Sequence, residues 1–541
     1  MTGLLLVAAW GVPLAMLTAC LSPRVRARMP GWLWLAPLPG LAAALLAHGA
    51  SVVVDEEGMR FTLGLDPAAA MLLGVAALLW TAAGAYARTW LRDDAKAGRF
   101  AEWWLLTLSG SLGVFFAADI FTFYVAFSMV SLAAWGLVVH DDTARARRAG
   151  AIYIGLAVVG EICLLLAFAL LATETPGASL AIRDLVAALP SAPGHDLTIA
   201  LLIAGFGLKI GLVPFHFWMP LAYSAAPHPA AAVLSGAAVK AGVIGLIRFL
   251  PFAAAWPGWG TALAVAGLVA AFYGVAIGIT QANPKAVLAY SSVSQMGFLA
   301  TVFGMGLAAG DPSTGPTAAF YAAHHVLVKG ALFLALGIAT ATGTGRAWPV
   351  LVPAAVIALG LAGLPLTGGA LAKLAVKDLL GKGVVGTLAA LSAAGTTLLM
   401  LHFLRLLATT GDRHESESAP AGLTLPWLAT AIAAVVGPWA LRGATASGVG
   451  WDPFAPAALA SLLWPIALGA VLAVGLRRLG DRLPRVPEGD LVVAGAGAVR
   501  AARTLGELLE RADGQLRRWP VAGVSLLVLA ILLGAAMLAG R

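Results

Sequence analysis

Eight side chains of this sequence carry charge or can titrate inside apolar runs. Glu161 stands mid-run in AIYIGLAVVGEICLLLAF and Lys209 in GLKIGLVPF, with His216 just beyond it. Lys240 lies in LSGAAVKAGVIGL, His324, His325 and Lys329 in AAHHVLVKGALF, and Lys373 in GGALAKLAV. A charge at the centre of a bilayer costs about 2.5–3.5 kcal/mol on insertion scales, so residues of this kind mark function by default. Structural ion pairing does not account for the set, because four of the five formal charges are lysines facing one deep carboxylate. Removal from water disfavours an ammonium, whereas a neighbouring carboxylate favours it. Moving a charge next to such a lysine switches it between holding and releasing a proton. The residue types therefore predict a relay in which lysines, linked by histidine and water, pass protons or small cations.

Such a relay needs helices that cross a membrane. Of the 541 residues, 60% are hydrophobic and 11% charged, and the mean hydropathy is +0.90. Several runs approach the twenty apolar residues that one crossing requires. Sixteen candidate helices are predicted at 3–21, 31–49, 67–87, 103–118, 120–139, 149–172, 198–217, 228–250, 260–280, 286–307, 317–341, 349–380, 384–408, 424–441, 457–476 and 520–539. The fold class is an all-α polytopic membrane protein of about 14–16 transmembrane helices. The run from Leu4 to Leu21 lacks a basic leader and is read as a retained first helix rather than a signal peptide.

The net charge of +8 follows the spans, which excludes nucleic acid as its reason. Loops after odd-numbered helices carry Arg24, Arg26 and Arg28, then Arg88, Arg92, Lys96 and Arg99, then Arg145, Arg147 and Arg148, and finally a dense group from Arg477 to Arg518. Loops after even-numbered helices carry few basic residues, namely Arg60, Arg183, Lys382 and Arg442, and one of them holds Asp55, Glu56 and Glu57. The positive-inside rule places both termini on the outer face of a cell inner (plasma) membrane. Residues 477–519 carry Leu505, Leu508, Leu509 and Leu516 at helical spacing, which predicts an amphipathic lateral helix ahead of a terminal anchor.

No cofactor or metal is expected. Cys20 and Cys163 are the only cysteines, too few for the four thiolates of a usual iron–sulfur cluster, and no P-loop or dinucleotide fingerprint is present. The chain is expected to have no catalytic site of its own.

Two helices look interrupted. Lys209 stands five residues before Pro214 in LKIGLVPFHFWMP, and Lys373 eight after Pro365 in GLPLTGGALAK. Paired broken helices beside an intramembrane charge point to a transport site between inverted repeats, here of five helices each.

These segments resemble a known family. FGLKIGLVPFHFWMPLAYSAAPHPAAAVLSGAAVKAGVIGLIRF (206–249) resembles the seventh and eighth helices of the antiporter-like membrane subunits. That family includes the proton-pumping subunits of respiratory complex I, Mrp-type sodium/proton antiporter subunits and membrane subunits of membrane-bound hydrogenases. KAVLAYSSVSQMGF (285–298) is similar to its tenth-helix signature, HHVLVKGALF (324–333) to the next helix, GLPLTGGALAK (363–373) to the broken twelfth, and LGLDPAAAM (63–71) to the lead into the third. The likeness covers about residues 60–410 and implies roles by position. Lys209 matches the central lysine of the seventh helix, Lys240 the connecting lysine of the eighth, His325 and Lys329 the linking pair of the eleventh, and Lys373 the terminal residue of the twelfth. Two positions depart from the pattern. Ser128, in DIFTFYVAFSMVSLAAW, replaces the fifth-helix glutamate that usually partners the seventh-helix lysine, and Leu221 stands where an aspartate is common. Glu161 then either supplies the lost carboxylate from the sixth helix or only neutralises Lys209 in a subunit that no longer pumps.

The resemblance implies a proton- or Na+/H+-translocating subunit partnered by other membrane subunits, as in an NADH:quinone oxidoreductase-type or Mrp-type complex. The alternatives are the membrane subunit of an inorganic-carbon-accumulating complex and a non-conducting scaffold. Four regions are expected: N-terminal helices (1–100), a translocating core (101–410), C-terminal helices (411–476), and the lateral segment with its anchor (477–541).

Overall fold

The computed structural model describes residues 2–56, 59–174, 180–341, 348–410, 419–444, 452–479, 486–494, 504, 507 and 510–511. Its elements run in order as α1 (Thr2–Ala19), α2 (Pro23–Arg28), α3 (Leu38–Leu46), β1 (Ser51–Glu56), β2 (Met59–Gly64), α4 (Pro67–Trp90), α5 (Ala97–Phe116), α6 (Ile120–Val138), α7 (Ala144–Glu174) and α8 (Ile182–Ala188). They continue as α9 (His195–Ile210), α10 (Trp218–Ala225), α11 (His228–Val233), α12 (Lys240–Phe249), α13 (Pro257–Gly278), α14 (Pro284–Ala309) and α15 (Thr314–Ala341). The last are α16 (Trp348–Ala362), α17 (Gly368–Leu380), α18 (Val384–Ala408), α19 (Ala421–Leu441), α20 (Pro456–Leu479) and α21 (Asp490–Ala494). The chain divides into two compact units, Met1–Glu488 and Gly489–Arg541. Of the second unit, the short helix α21 is its described element.

Local chemistry starts the helices that matter. Asp66 caps α4, its carboxylate accepting from the Ala69 amide at 2.9 Å, with Pro67 at the first position. Asp119 caps α6 by accepting from the Thr122 amide at 2.7 Å, and Asn283 caps α14 ahead of Pro284. These are side chains and prolines that helix starts favour. The one described sheet is the hairpin β1–β2, antiparallel with Ser51 opposite Gly64. Its Thr62 amide donates to Asp119 at 2.6 Å, tying the hairpin to the head of α6.

Among the described residues, twelve helices are long and apolar enough to cross a membrane. That is below the count expected from sequence, for physical reasons visible in the chain. The predicted second span is helical only over the nine residues of α3. α5 carries Arg99 and Glu102 near its start. The long run 349–380 is split into α16 and α17, and 520–539 lies outside the described residues, as does most of the predicted lateral helix 477–519. Of the other predicted helices, 198–217 ends early at Ile210 and 228–250 is divided between α11 and α12, and the rest lie within several residues of their expected bounds.

α14 and α15 are buried along their membrane-spanning lengths and form the core of the first unit. α13 lies tightly along α14 because small residues recur every seven positions. A side-chain carbon added at Gly260, Gly267 or Gly274 would fall 2.3–2.6 Å from the backbone of α14. Close backbone approach through small residues is how membrane helices gain packing without a hydrophobic drive.

Candidate functional site

Glu161 on α7 and Lys209 on α9 face α6. Ser128 and Ser131 lie one turn apart on α6, hence on one face. Ser128 Oγ donates to Glu161 Oε2 at 2.6 Å, while Lys209 Nζ donates to Ser131 Oγ at 2.9 Å. The Lys209 ammonium also lies 5.5 Å from the centre of the Phe127 ring. No direct Glu161–Lys209 ion pair forms. Each side chain is held instead by its own serine of α6. Glu161 Oε1 is buried with no hydrogen bond among the described residues.

The break after Lys209 has a local cause. α9 ends at Gly211, whose φ of +72° is left-handed, and the Leu212 amide returns to the Gly207 carbonyl at 2.8 Å. A glycine in this conformation is a common helix stop. It leaves Lys209 in the last turn, where the negative end of the helix dipole favours a cation. A 3-10 turn, Phe215–Phe217, then leads into α10. His216 is fully buried in that turn, with its ring 4.8 Å from that of Tyr273 and 6.2 Å from that of Tyr290.

The eighth predicted helix, 228–250, is not a regular α-helix. α11 passes into a π-helical stretch, Leu234–Ala238, before α12 begins at Lys240. Wide turns of this kind recur at functional sites. Here the run LSGAA lets Gly236 approach Leu79 and the Val326 carbonyl, and Ser235 meets Ser292 at 3.0 Å. A cavity of about 10 Å³, lined by Lys209, Tyr153, Trp218, Tyr223 and Ala238 among others, separates Lys209 from this stretch. That volume is close to the least that holds one water.

Lys240 is fully buried and pairs with His325 of α15, Nζ to Nδ1, at 2.9 Å. Lys329, one turn further along α15, donates to the Leu288 carbonyl of α14 at 2.9 Å. His324 packs against Gly368 and Gly369 at the head of α17, and it senses the Lys373 charge. α16 breaks at Gly363, with φ of +103°, and Lys373 lies on the far side of the break, 6.0 Å from the centre of the Phe298 ring. A further polar chain joins α14, α15 and α18. Tyr321 donates to Gln295 at 2.5 Å, and Gln295 donates to Thr396 at 2.9 Å.

The structure thus groups the predicted residues as Glu161–Ser128 beside Ser131–Lys209, as Lys240–His325 beside Lys329, and as His324 beside Lys373. His216 stands apart against two tyrosines. Sequence reasoning missed Ser131, the Gln295–Tyr321–Thr396 chain and the buried guanidinium of Arg248, which lies at the end of an apolar run. Arg248 donates to the carbonyls of Val114, Phe115 and Ala117 and to Asp66 at 3.2 Å, closing the end of α5. Among the described residues no three His, Cys, Asp or Glu side chains gather as a metal site.

Comparison with known proteins adds a family. A sequence model of the NADH:quinone oxidoreductase/Mrp antiporter transmembrane family matches residues 117–400. Hydrogenase-4 component B of Escherichia coli is 30% identical over 295 residues, covering 52% of this chain and 44% of that protein. The chain therefore spans less than half the length of this relative. NADH-quinone oxidoreductase subunit N of Desulforudis audaxviator is 31% identical over 379 residues, 63% of this chain and 73% of that protein. In the solved Mrp complex of a Dietzia species, one chain superposes with a TM-score of 0.84 at 24% identity, over 100% of this chain and 63% of that one.

Proposed function

The chain belongs to the NADH:quinone oxidoreductase/Mrp antiporter transmembrane family, and on that premise we propose that it translocates protons, or exchanges Na+ for protons, along its row of buried lysines, histidines and glutamate. Other membrane subunits of a complex I-like or Mrp-like assembly would drive it or be driven by it. Both termini would face outward, in accord with the basic loops.

The observation that carries the reading is the Lys240–His325 contact at 2.9 Å, buried and, among the described residues, without a carboxylate partner. An ammonium there donates to a neutral imidazole nitrogen. With the proton moved, the imidazole ring donates to a neutral amine instead. One short contact thus accepts a proton on one side and releases it on the other. Lys329, one turn away, disfavours two positive charges at once, so a proton arriving at one lysine pushes the next onward.

At the Lys209 end, Ser131 is the group through which Glu161 and Lys209 communicate. The carboxylate missing from position 128 is supplied by Glu161, whose hydrogen bond ends on Ser128 itself. This favours the conducting reading over a scaffold, which would lose stability by keeping five intramembrane charges.

The test is flux. The native assembly containing this chain, reconstituted in vesicles with an internal pH dye, should take up or release protons when its driving reaction or a sodium gradient is applied. Dye response independent of both would refute the reading. Identification of the co-purifying subunits would name the driving reaction.

A further inference from the structure

A second cavity, about 360 Å³, opens between α17, α18 and α20. Its volume is that of a ligand pocket rather than of a packing defect. Three lysines line it: Lys373 and Lys377, one helical turn apart on α17, and Lys382 in the turn that follows. Among the described residues, none of the three has an ion pair with a carboxylate. A lysine in the last turn of a helix has a structural reason in the helix dipole, which explains Lys377 alone. Lys382 belongs instead to the start of α18.

That start is unusual. α18 runs for 25 residues, yet its cap residue is Gly383, with no side chain to satisfy the first amides. Gly386 and Thr387 of its first turn line the same cavity. A side-chain carbon at Gly386 would lie 2.0 Å from the Gly381 carbonyl, so the glycine lets the turn fold tightly against the helix head. A helix start without a side-chain cap and lysines converging on one hollow are the ingredients of an anion site.

The rest of the wall is apolar. Phe298, Leu374, Leu380, Leu462, Trp464 and Pro465 face the hollow. On α20, Leu463, Trp464 and Val471 are 43–68% exposed, the surface expected where a helix meets hydrocarbon. An aqueous anion such as inorganic phosphate has no use for such a wall. We propose that this cavity binds an anionic phospholipid, its phosphate held by Lys377 and Lys382 beside Gly386 at the start of α18, and one acyl chain lying along Leu374, Leu462 and Trp464. The proposal concerns a lipid site and does not require that Lys373 conduct ions.

The experiment uses the purified full chain in detergent with brominated phosphatidylglycerol or brominated phosphatidylcholine as probe. The quenching of Trp464 is read as the difference from a Trp464→Phe variant. Phosphatidylglycerol should quench that component and phosphatidylcholine should not. A Lys377→Gln/Lys382→Gln variant should need about thirty-fold more lipid, since each basic residue near an anionic headgroup is worth roughly a factor of five. Ala390→Phe, which fills the cavity and keeps both lysines, should abolish the effect, and retained thermal unfolding would show that both variants fold. Equal quenching by the two lipids would overturn the proposal, as would an unchanged affinity in the lysine variant. Full displacement of the lipid by millimolar inorganic phosphate would overturn it as well, because the site would then serve a free anion.

Discussion

Replacing Ser131 by alanine removes one oxygen atom and with it the hydroxyl that receives the Lys209 ammonium at 2.9 Å. Both residues are buried, at 1% and 7% exposure, so water does not readily take the hydroxyl's place. A hydrogen bond to a charged group contributes about 1.5–3 kcal/mol. At 1.4 kcal/mol per tenfold change, the population of Lys209 held in its present position falls roughly ten- to hundred-fold. Packing is nearly untouched, so assembly and thermal unfolding should change little. Transport should fall by at least roughly tenfold if Lys209 must be held there to exchange charge with Glu161. Ser131→Thr keeps the hydroxyl and should retain most of the activity. The assay is proton flux in vesicles containing the native assembly, with subunit content checked on the same preparation. Wild-type flux from the Ser131→Ala protein would refute the coupling of Glu161 to Lys209 through this serine.

Glu161→Gln should stall transport, and the double variant Ser128→Glu/Glu161→Ser, which moves the carboxylate back to α6, should restore it; no recovery in dye-based flux would mean that Glu161 acts through its position on α7. In a cysteine-free background, Arg183→Cys should react with an impermeant thiol reagent in intact cells and Arg147→Cys should not, and the reverse pattern would invert the proposed orientation. Burial alone would raise the Asp94 carboxyl, but the hydrogen bonds from His140 at 2.7 Å and from the Lys96 amide outweigh it and hold it below the usual carboxylate range. Its contribution is present above the unfolded value of about 3.9 and is lost as pH falls through the lowered folded value, so Asp94→Asn should lower the unfolding temperature at pH 7 with a gap that closes below about pH 4. A pH-independent gap in a thermal unfolding series would refute that linkage.

Much of the fold was readable because the bilayer writes it as run length. A span needs about twenty apolar residues, and the loops between spans are short and charged. Interruptions were readable only where glycine and proline marked them, as at Gly211 and at Gly363. The π-helical stretch before Lys240 was not, since LSGAA reads as ordinary helix, and only the structure shows Gly236 packed close to Leu79 and the Val326 carbonyl. α3 was overestimated because hydropathy cannot distinguish turn residues from helix in PGWLWLAP. At the site, charge in an apolar run singled out Glu161, Lys209, Lys240, Lys329 and Lys373. Their partners were less visible. Ser131 and the Leu288 carbonyl are ordinary features of membrane helices, and only the packing of α6 on α9 and of α14 on α15 selects them.

The central claim is that protons pass along the buried lysines, and it is tested most directly at the middle of the row. Lys240→Ala and Lys329→Ala each truncate a fully buried side chain, so subunit content is measured on the same vesicles, and the assembly should stay intact. Proton flux through vesicles reconstituted with either variant, driven as the native assembly is driven, is expected to vanish. Flux at the native rate from both variants would contradict the account.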